Sequence, residues 1–196
     1  MLVALFVLLA IVPTSAQNRI GFTGGLNLAN ISVDPDQGLD LSSRTGFGFG
    51  GVLDLGLSEN VALHVEPMFL QKGSNVNVQG LGEIKLKASY IEVPVLFKIA
   101  LGTSTTRPYV MAGPSIGILL SAKADDTDIK DTTKSTDFGL AFGAGVSFPA
   151  GNNSVFVEGR YALGLSDIND DATDDTKIKT KGIQFMAGVT FPLGGQ

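Results

Sequence analysis

The sequence has no cysteine, no tryptophan and a single histidine, and only 17% of its 196 residues are charged. Without cysteine there is no disulfide framework, no thiol nucleophile and no cysteine-ligated zinc. His64 alone leaves little for metal or triad chemistry that needs imidazole. Positive charge is scarce too: 14 Lys and Arg stand against 19 Asp and Glu, for a formal net charge of -5. No basic patch is present to release counterions from a phosphate backbone, so no nucleic-acid partner is expected. Hydrolytic and metal-dependent enzymes are disfavoured before any motif is considered, and no cofactor is implied.

Long apolar runs are equally absent beyond Gln17, where no window of about 18 uninterrupted apolar residues occurs and hence no transmembrane helix is expected. The first residues differ. Leu2 to Val12 form an eleven-residue apolar run, followed by Pro13 and the small residues Thr14, Ser15 and Ala16. This pattern predicts a secretory signal peptide over residues 1–16, although no Lys or Arg precedes the apolar run. Residues 17–196 are then one exported domain, a size suited to one small barrel.

What is abundant is glycine. Its 25 residues make up roughly an eighth of the chain, against about 7% on average. No Gly-X-Y period accompanies them, which excludes collagen. From Arg19 onward the hydrophobic pattern has period two, the spacing of strands. Phe47, Phe49, Leu53, Leu55 and Leu57 oppose Gly46, Gly48, Gly50, Val52 and Asp54. The alternation recurs over Val61–Phe69, Ile91–Leu101, Asp137–Phe148, Val155–Leu165 and Gly182–Leu193, and less regularly over Arg19–Ala29 and Arg107–Ala122. Eight strands of about 10 to 15 residues follow, longer than the usual five or six and long enough to cross a bilayer at a tilt.

The connections alternate independently. Ser58–Asn60, Gly102–Thr106 and Pro149–Ser154 are short, whereas Ser32–Ser43, Gly73–Glu83, Lys123–Thr136 and Ser166–Thr180 are long and polar. Short turns on one side and long loops on the other mark an outer-membrane barrel, with the turns facing the periplasm. The predicted fold is an all-β, eight-stranded antiparallel up-and-down transmembrane barrel. Its lumen is just wide enough to be filled by side chains, which explains small inward residues such as Gly46, Gly48, Gly50, Gly143, Gly145 and Gly188.

The inward face also collects charge: Asp54, His64, Glu66, Glu92, Lys98, Glu158 and Arg160. Buried charges must be paired, so a network is expected in which Lys98 and Arg160 bridge the carboxylates. Lys85 and Lys87 share parity with lipid-facing Ile91. Either a bulge near Ser89–Ile91 swaps the faces or, as we favour, both lysines lie above the hydrocarbon. Ten acids, among them Asp125, Asp137, Asp167 and Asp170, are assigned to the last two long loops as solvated charge. An EF-hand-like start at Asp167 fails, with Ala172 and Ile178 where Gly and Glu are needed. Phe69, Tyr90, Tyr109, Phe138, Phe148 and Phe191 are candidates for interfacial aromatic girdles.

Two segments, Tyr90-Ile-Glu-Val-Pro-Val-Leu-Phe-Lys98 and Pro108-Tyr-Val-Met-Ala-Gly-Pro-Ser-Ile-Gly117, resemble the porin-like, PorT-type outer-membrane β-barrel family of Bacteroidetes and their relatives. Glu158-Gly-Arg-Tyr-Ala-Leu-Gly-Leu165 is similar to the same family. The resemblance spans about Arg19 to Leu193 and implies a cell outer membrane location. Partners would be outer-membrane lipid and lipopolysaccharide, with the barrel-assembly machinery during biogenesis. One departure is the ending, where Phe191 is followed by Pro-Leu-Gly-Gly-Gln rather than standing last. The expected role is non-enzymatic, structural or at the surface, around a filled lumen. Alternatives are a narrow ion or small-solute channel, a loop-mediated adhesion or assembly module, and a soluble lipid-binding barrel, which the charged lumen and apolar exterior disfavour.

Overall fold

A computed structural model of the protein describes residues 18–193, apart from 36–37, 39, 79–81, 103 and 171–175. The expected signal peptide lies outside the described residues. The strands are β1 (Arg19–Asp34), β2 (Asp40–Gly56), β3 (Val61–Val65), β4 (Met68–Val78), β5 (Gly82–Ala100), β6 (Arg107–Ala124), β7 (Thr127–Asp128), β8 (Thr136–Ala150), β9 (Asn153–Gly164) and β10 (Lys177–Pro192). Among the described residues, no helix is long and apolar enough to cross a membrane.

Each strand pairs antiparallel with its neighbours, and the ring is closed by β1 against β10 from Arg19 opposite Pro192 to Asp34 opposite Lys177. β3 and β4 are two halves of one stave, interrupted at Glu66–Pro67 because proline has no N–H to give the ladder. The break stays stitched: Gly51 N–H donates to Pro67 O at 3.0 Å and Glu66 N–H to Pro94 O at 3.2 Å. The two-residue β7 only folds back to pair with the end of β6, Lys123 opposite Asp128. Eight antiparallel staves therefore close in up-and-down order, as the alternation predicts.

Closure leaves the two faces chemically opposite. Phe22 (69% exposed), Phe49 (56%), Phe97 (56%), Phe138 (53%) and Phe185 (55%) face outward, while Asn27, His64, Glu66, Glu92, Arg160 and Gln184 are buried inside. A soluble barrel would have the reverse. Phe47, Phe49 and Phe69 also pack together on the outside, with ring centroids 5.4–6.2 Å apart.

Several local expectations change. Ser32–Ser43 and Gly73–Glu83 are mostly not loops, because β1 continues to Asp34, β2 begins at Asp40, and β4 and β5 stay paired up to Val78 opposite Gly82. Ladder hydrogen bonds satisfy a backbone whether or not its side chains are apolar, so polar stretches extend the staves above the apolar belt. Lys85 and Lys87 are exposed and keep the parity of Ile91, in line with the favoured reading. The bulge lies on the neighbouring strand: Ser89 pairs Ser121 but Tyr90 pairs Leu119, so Leu120 is the extra residue and β6 changes face there. Tyr90 and Tyr109 belong to no girdle, since both are buried in the lumen at 0% and 2% exposure. They share parity with Glu92 and Met111, whereas Phe138, Phe148 and Phe191 do point outward.

Inward glycines make room for the largest lumenal side chains. A β-carbon at Gly143 would stand 2.8 Å from Cγ of Arg160, at Gly145 2.5 Å from the Tyr109 ring, and at Gly188 2.5 Å from the Phe156 ring. Gly145→Val should therefore destabilise the barrel by overpacking, by about 1–3 kcal/mol. A lowered urea midpoint in detergent is the expected reading, and an unchanged midpoint would show that the Tyr109 ring has space to move.

Candidate functional site

The charged lumen is the chemically distinctive part of the molecule, and it is built in two layers. The lower layer lies toward the short turns. Asp54 near the end of β2 and His64 on β3 pair across the ladder, with His64 Nδ1 2.6 Å from Asp54 Oδ1. The other imidazole nitrogen, Nε2, lies 2.9 Å from Glu66 Oε2. A ring with a carboxylate at each nitrogen makes both bonds when it carries both protons. Lys98 from β5 donates to Asp54 Oδ2 at 3.0 Å, and its ammonium lies 4.4 Å from the centre of the Tyr109 ring.

Arg160 from β9 completes this layer. Its Nε donates to Glu158 Oε1 at 2.8 Å, and its terminal NH2 contacts both Glu158 and Glu66. Tyr109 donates to the second Glu158 oxygen at 2.6 Å. Three carboxylates thus meet Lys98, Arg160 and the imidazole. His64, Glu66 and Glu158 bring ligand atoms within 4.8 Å of one another, but the Arg160 guanidinium already supplies the positive charge among them.

The upper layer lies toward the loops. Lys72 from β4 pairs with Glu92 from β5 and donates to Asp137 Oδ2 at 3.1 Å. Asp137 also accepts from Thr180 Oγ1 at 2.7 Å and Ser166 Oγ at 3.0 Å. Met68, Leu70 and Met186 cluster inside the ring. The space beside Lys72, Asp137, Asn27 and Gln184 is about 10 Å³, at the threshold for a single water.

The structure places Asp54, His64, Glu66, Glu92, Lys98, Glu158 and Arg160 on the inner face in two groups, where the sequence suggests one network. Arg160 does bridge carboxylates. The one carboxylate that Lys98 pairs with is Asp54, among the described residues, and Glu92 is held by Lys72. Lys72 was legible, because the parity of His64, Glu66 and Met68 carried past Phe69 reaches Leu70 and Lys72. Asp137 is corrected from solvated loop acid to buried lumenal partner, 2% exposed, as its position opposite Phe138 already allowed. Tyr109 was missed as a partner for Glu158, although its parity with Met111 marks it as inward.

Above the upper layer, two loops close the other mouth. Thr133 bridges Asn169, Lys134 N–H donates to Ile168 O at 2.8 Å, and Asp170 N–H donates to Thr132 O at 3.0 Å. Beneath them lies a chamber of about 150 Å³, whose apolar lining includes Ile31, Leu86, Ile129, Ile168 and Ile178. Asp167 organises this loop pair, accepting from the N–H groups of Asn169 at 3.0 Å and Ile178 at 2.8 Å and from Lys134 Nζ at 3.2 Å. Slight desolvation would raise its pKa, but the Ile178 and Asn169 bonds and Lys134 outweigh this and hold the carboxyl below its ordinary range. Asp125, Asp126, Asp128, Asp131 and Asp170 are exposed, as expected, whereas 171, 174 and 175 lie outside the described residues. At the short-turn mouth a larger vestibule of about 510 Å³ reaches up to Asp54 and Lys98.

An apolar belt around a closed ring with a paired, charged interior defines a transmembrane β-barrel of the outer-membrane kind. Residues 15–170 match the family described as outer membrane protein beta-barrel domain, and the chain belongs to it; its place is the outer membrane of a Gram-negative envelope. Among solved structures it is similar to the outer membrane protein OprG from Pseudomonas aeruginosa, at 16% identity and a TM-score of 0.57, over 92% of this chain and 97% of that one. Neisserial surface protein A (NspA) is similar at 16% identity and a TM-score of 0.53, over 89% of this chain and 97% of that one. At such identities the likeness shows the fold alone. No curated protein matches the sequence.

Proposed function

We propose that this protein is a non-enzymatic, non-conducting outer-membrane barrel with a structural or surface role, exported by a signal peptide over residues 1–16 and inserted by the barrel-assembly machinery. Within its family, the Tyr90–Lys98 and Pro108–Gly117 segments favour the porin-like, PorT-type branch. One observation carries the reading of the lumen: two buried ion-paired layers cross it, and the void beside the upper one is only about 10 Å³, which argues against a water-filled path among the described residues. A catalytic role is disfavoured because the sole imidazole faces a carboxylate at each nitrogen. The Thr133–Asn169 bridge, which joins the two outer loops, supports a surface role next to lipopolysaccharide.

Reconstitution into planar bilayers tests the sealed lumen. No stable single-channel steps are expected, and large, stable currents would overturn the proposal. The narrow-channel reading has one observation in its favour, the run of ionisable groups from Lys98 through Asp54 and His64 to Glu66. It requires a small conductance that changes in Glu66→Gln or Lys98→Met. Under the sealed-barrel reading both variants are as silent as the parent.

A further inference from the structure

The cations that line the lumen and the short-turn mouth differ in their partners. Arg160, Lys72 and Lys98 each have a carboxylate partner. Arg19 and Arg107, at the vestibule, donate hydrogen bonds to neutral oxygens only, although Asp54, opposite Arg19 in the ladder, attracts that guanidinium through space. Arg19 donates through Nε to Thr190 Oγ1 at 3.0 Å, and through NH2 to Thr190 O at 2.9 Å and Asn152 O at 3.3 Å. Arg107 donates to Glu59 O at 3.4 Å and Asn60 Oδ1 at 3.1 Å. Both guanidinium groups are therefore oriented without a direct salt bridge.

Two carboxylates also line this space. Asp54 is already engaged by His64 and Lys98, and Glu59 contributes its backbone carbonyl to Arg107 but no ion pair. β1 and β6, which carry the two arginines, stand four staves apart in a ring of eight, on opposite walls. The space between them, about 510 Å³, falls in the usual range for small-molecule sites, roughly 300–1,000 Å³. Its inner end is closed by the lower charged layer, and the surrounding hydrocarbon strengthens the field of unpaired charge within.

We propose that the short-turn vestibule binds a small polyvalent oxyanion, bearing phosphate or carboxylate groups, between Arg19 and Arg107. Guanidinium forks suit such groups through paired, charge-assisted hydrogen bonds. The exposed acids of the outer loops make the opposite mouth unsuitable, so the site is specific to the periplasmic end. The same chemistry has two possible sources there, a soluble anion or the phosphate of a lipid headgroup at the rim. The site uses the sealed lumen as its inner wall, but anion binding is measured separately from conductance.

The test is calorimetric titration of the folded, full-length protein in zwitterionic micelles with pyrophosphate and, separately, citrate. Saturable binding of at least one is expected, weaker at higher salt and weakened about tenfold by Arg19→Gln or Arg107→Gln. Trehalose, a neutral control, should give no binding heat. Nanodiscs separate the sources: weaker pyrophosphate binding in phosphatidylglycerol discs than in zwitterionic discs assigns the site to a headgroup, and equal binding assigns it to a soluble anion. No saturable binding of either anion overturns the proposal. So does undiminished affinity in an Arg19→Gln/Arg107→Gln variant that keeps the heat-modifiable migration of a folded barrel. Should that variant not fold, the side-chain Nε–H signals of Arg19 and Arg107 in the parent must shift on titration, and their failure to move has the same force.

Discussion

Replacing Arg160 with methionine should destabilise the barrel by about 3–5 kcal/mol, the cost of removing one partner from a buried ion pair. Among the described residues, the guanidinium is the one group that pairs with both Glu66 and Glu158, and both carboxylates are buried. Without it, Glu158 keeps only the Tyr109 hydroxyl and Glu66 only His64. Two buried carboxylates would then lack a cation between them. The measurement is the urea midpoint of the folded protein in lipid vesicles. Arg160→Lys should recover only part of the loss, because an ammonium lacks the fork whose Nε and NH2 meet two carboxylates together. Replacing Arg160, Glu66 and Glu158 together by apolar residues of similar volume should cost much less than the single change, since no buried charge is then left unpaired. An Arg160→Met midpoint equal to the parent's would show that the lower layer is hydrated and does not seal the barrel.

On the opposite face the sign of the argument reverses. Phe142→Arg should cost about 2–4 kcal/mol in a bilayer, the range for a cation facing lipid near the midplane. Phe142 is central in the outward row Phe138, Leu140, Phe142, Ala144, Val146 and Phe148, and it stacks on Tyr161 with ring centroids 6.1 Å apart. A water-facing arginine at this exposed position would be tolerated or would improve solubility. Folding yield and urea midpoint in vesicles therefore discriminate directly between a membrane barrel and a soluble one. Phe142→Leu, which keeps an apolar surface, should stay close to the parent. If Phe142→Arg folded as stably as Phe142→Leu, the outward apolar belt would not be a lipid contact.

Legibility in the sequence followed physical locality. Period two is a property of consecutive residues, so which face each side chain takes could be read without any partner strand, and Asp54, His64, Glu66, Glu92, Lys98, Glu158 and Arg160 were found together on the inner one. Parity also runs on past the apolar segments. Lys72 lies beyond Phe69 among polar residues, and its unbroken parity still aims it inward. Polarity alone suggests a loop over Gly73–Glu83, whereas ladder hydrogen bonds continue the strand to Val78. The Leu120 bulge was invisible because a bulge is a property of two strands in register, and only β5 showed a puzzle in its lysines.

The sequence by itself determined the class of molecule: long alternating strands, sorted connections, small inward residues and a charged inner face admit an eight-stranded membrane barrel and little else. Only the tertiary structure decided who pairs with whom inside it. Register across the ring, which no local pattern encodes, sets Lys72 against Glu92 and Asp137 and gives Arg160 to Glu66 and Glu158. It also leaves Arg19 and Arg107 facing an open vestibule with neutral hydrogen-bond partners. Charge pairing is a matter of a few ångströms between residues as far apart in the chain as Glu66 and Arg160, and closure of the ring is what brings such residues together.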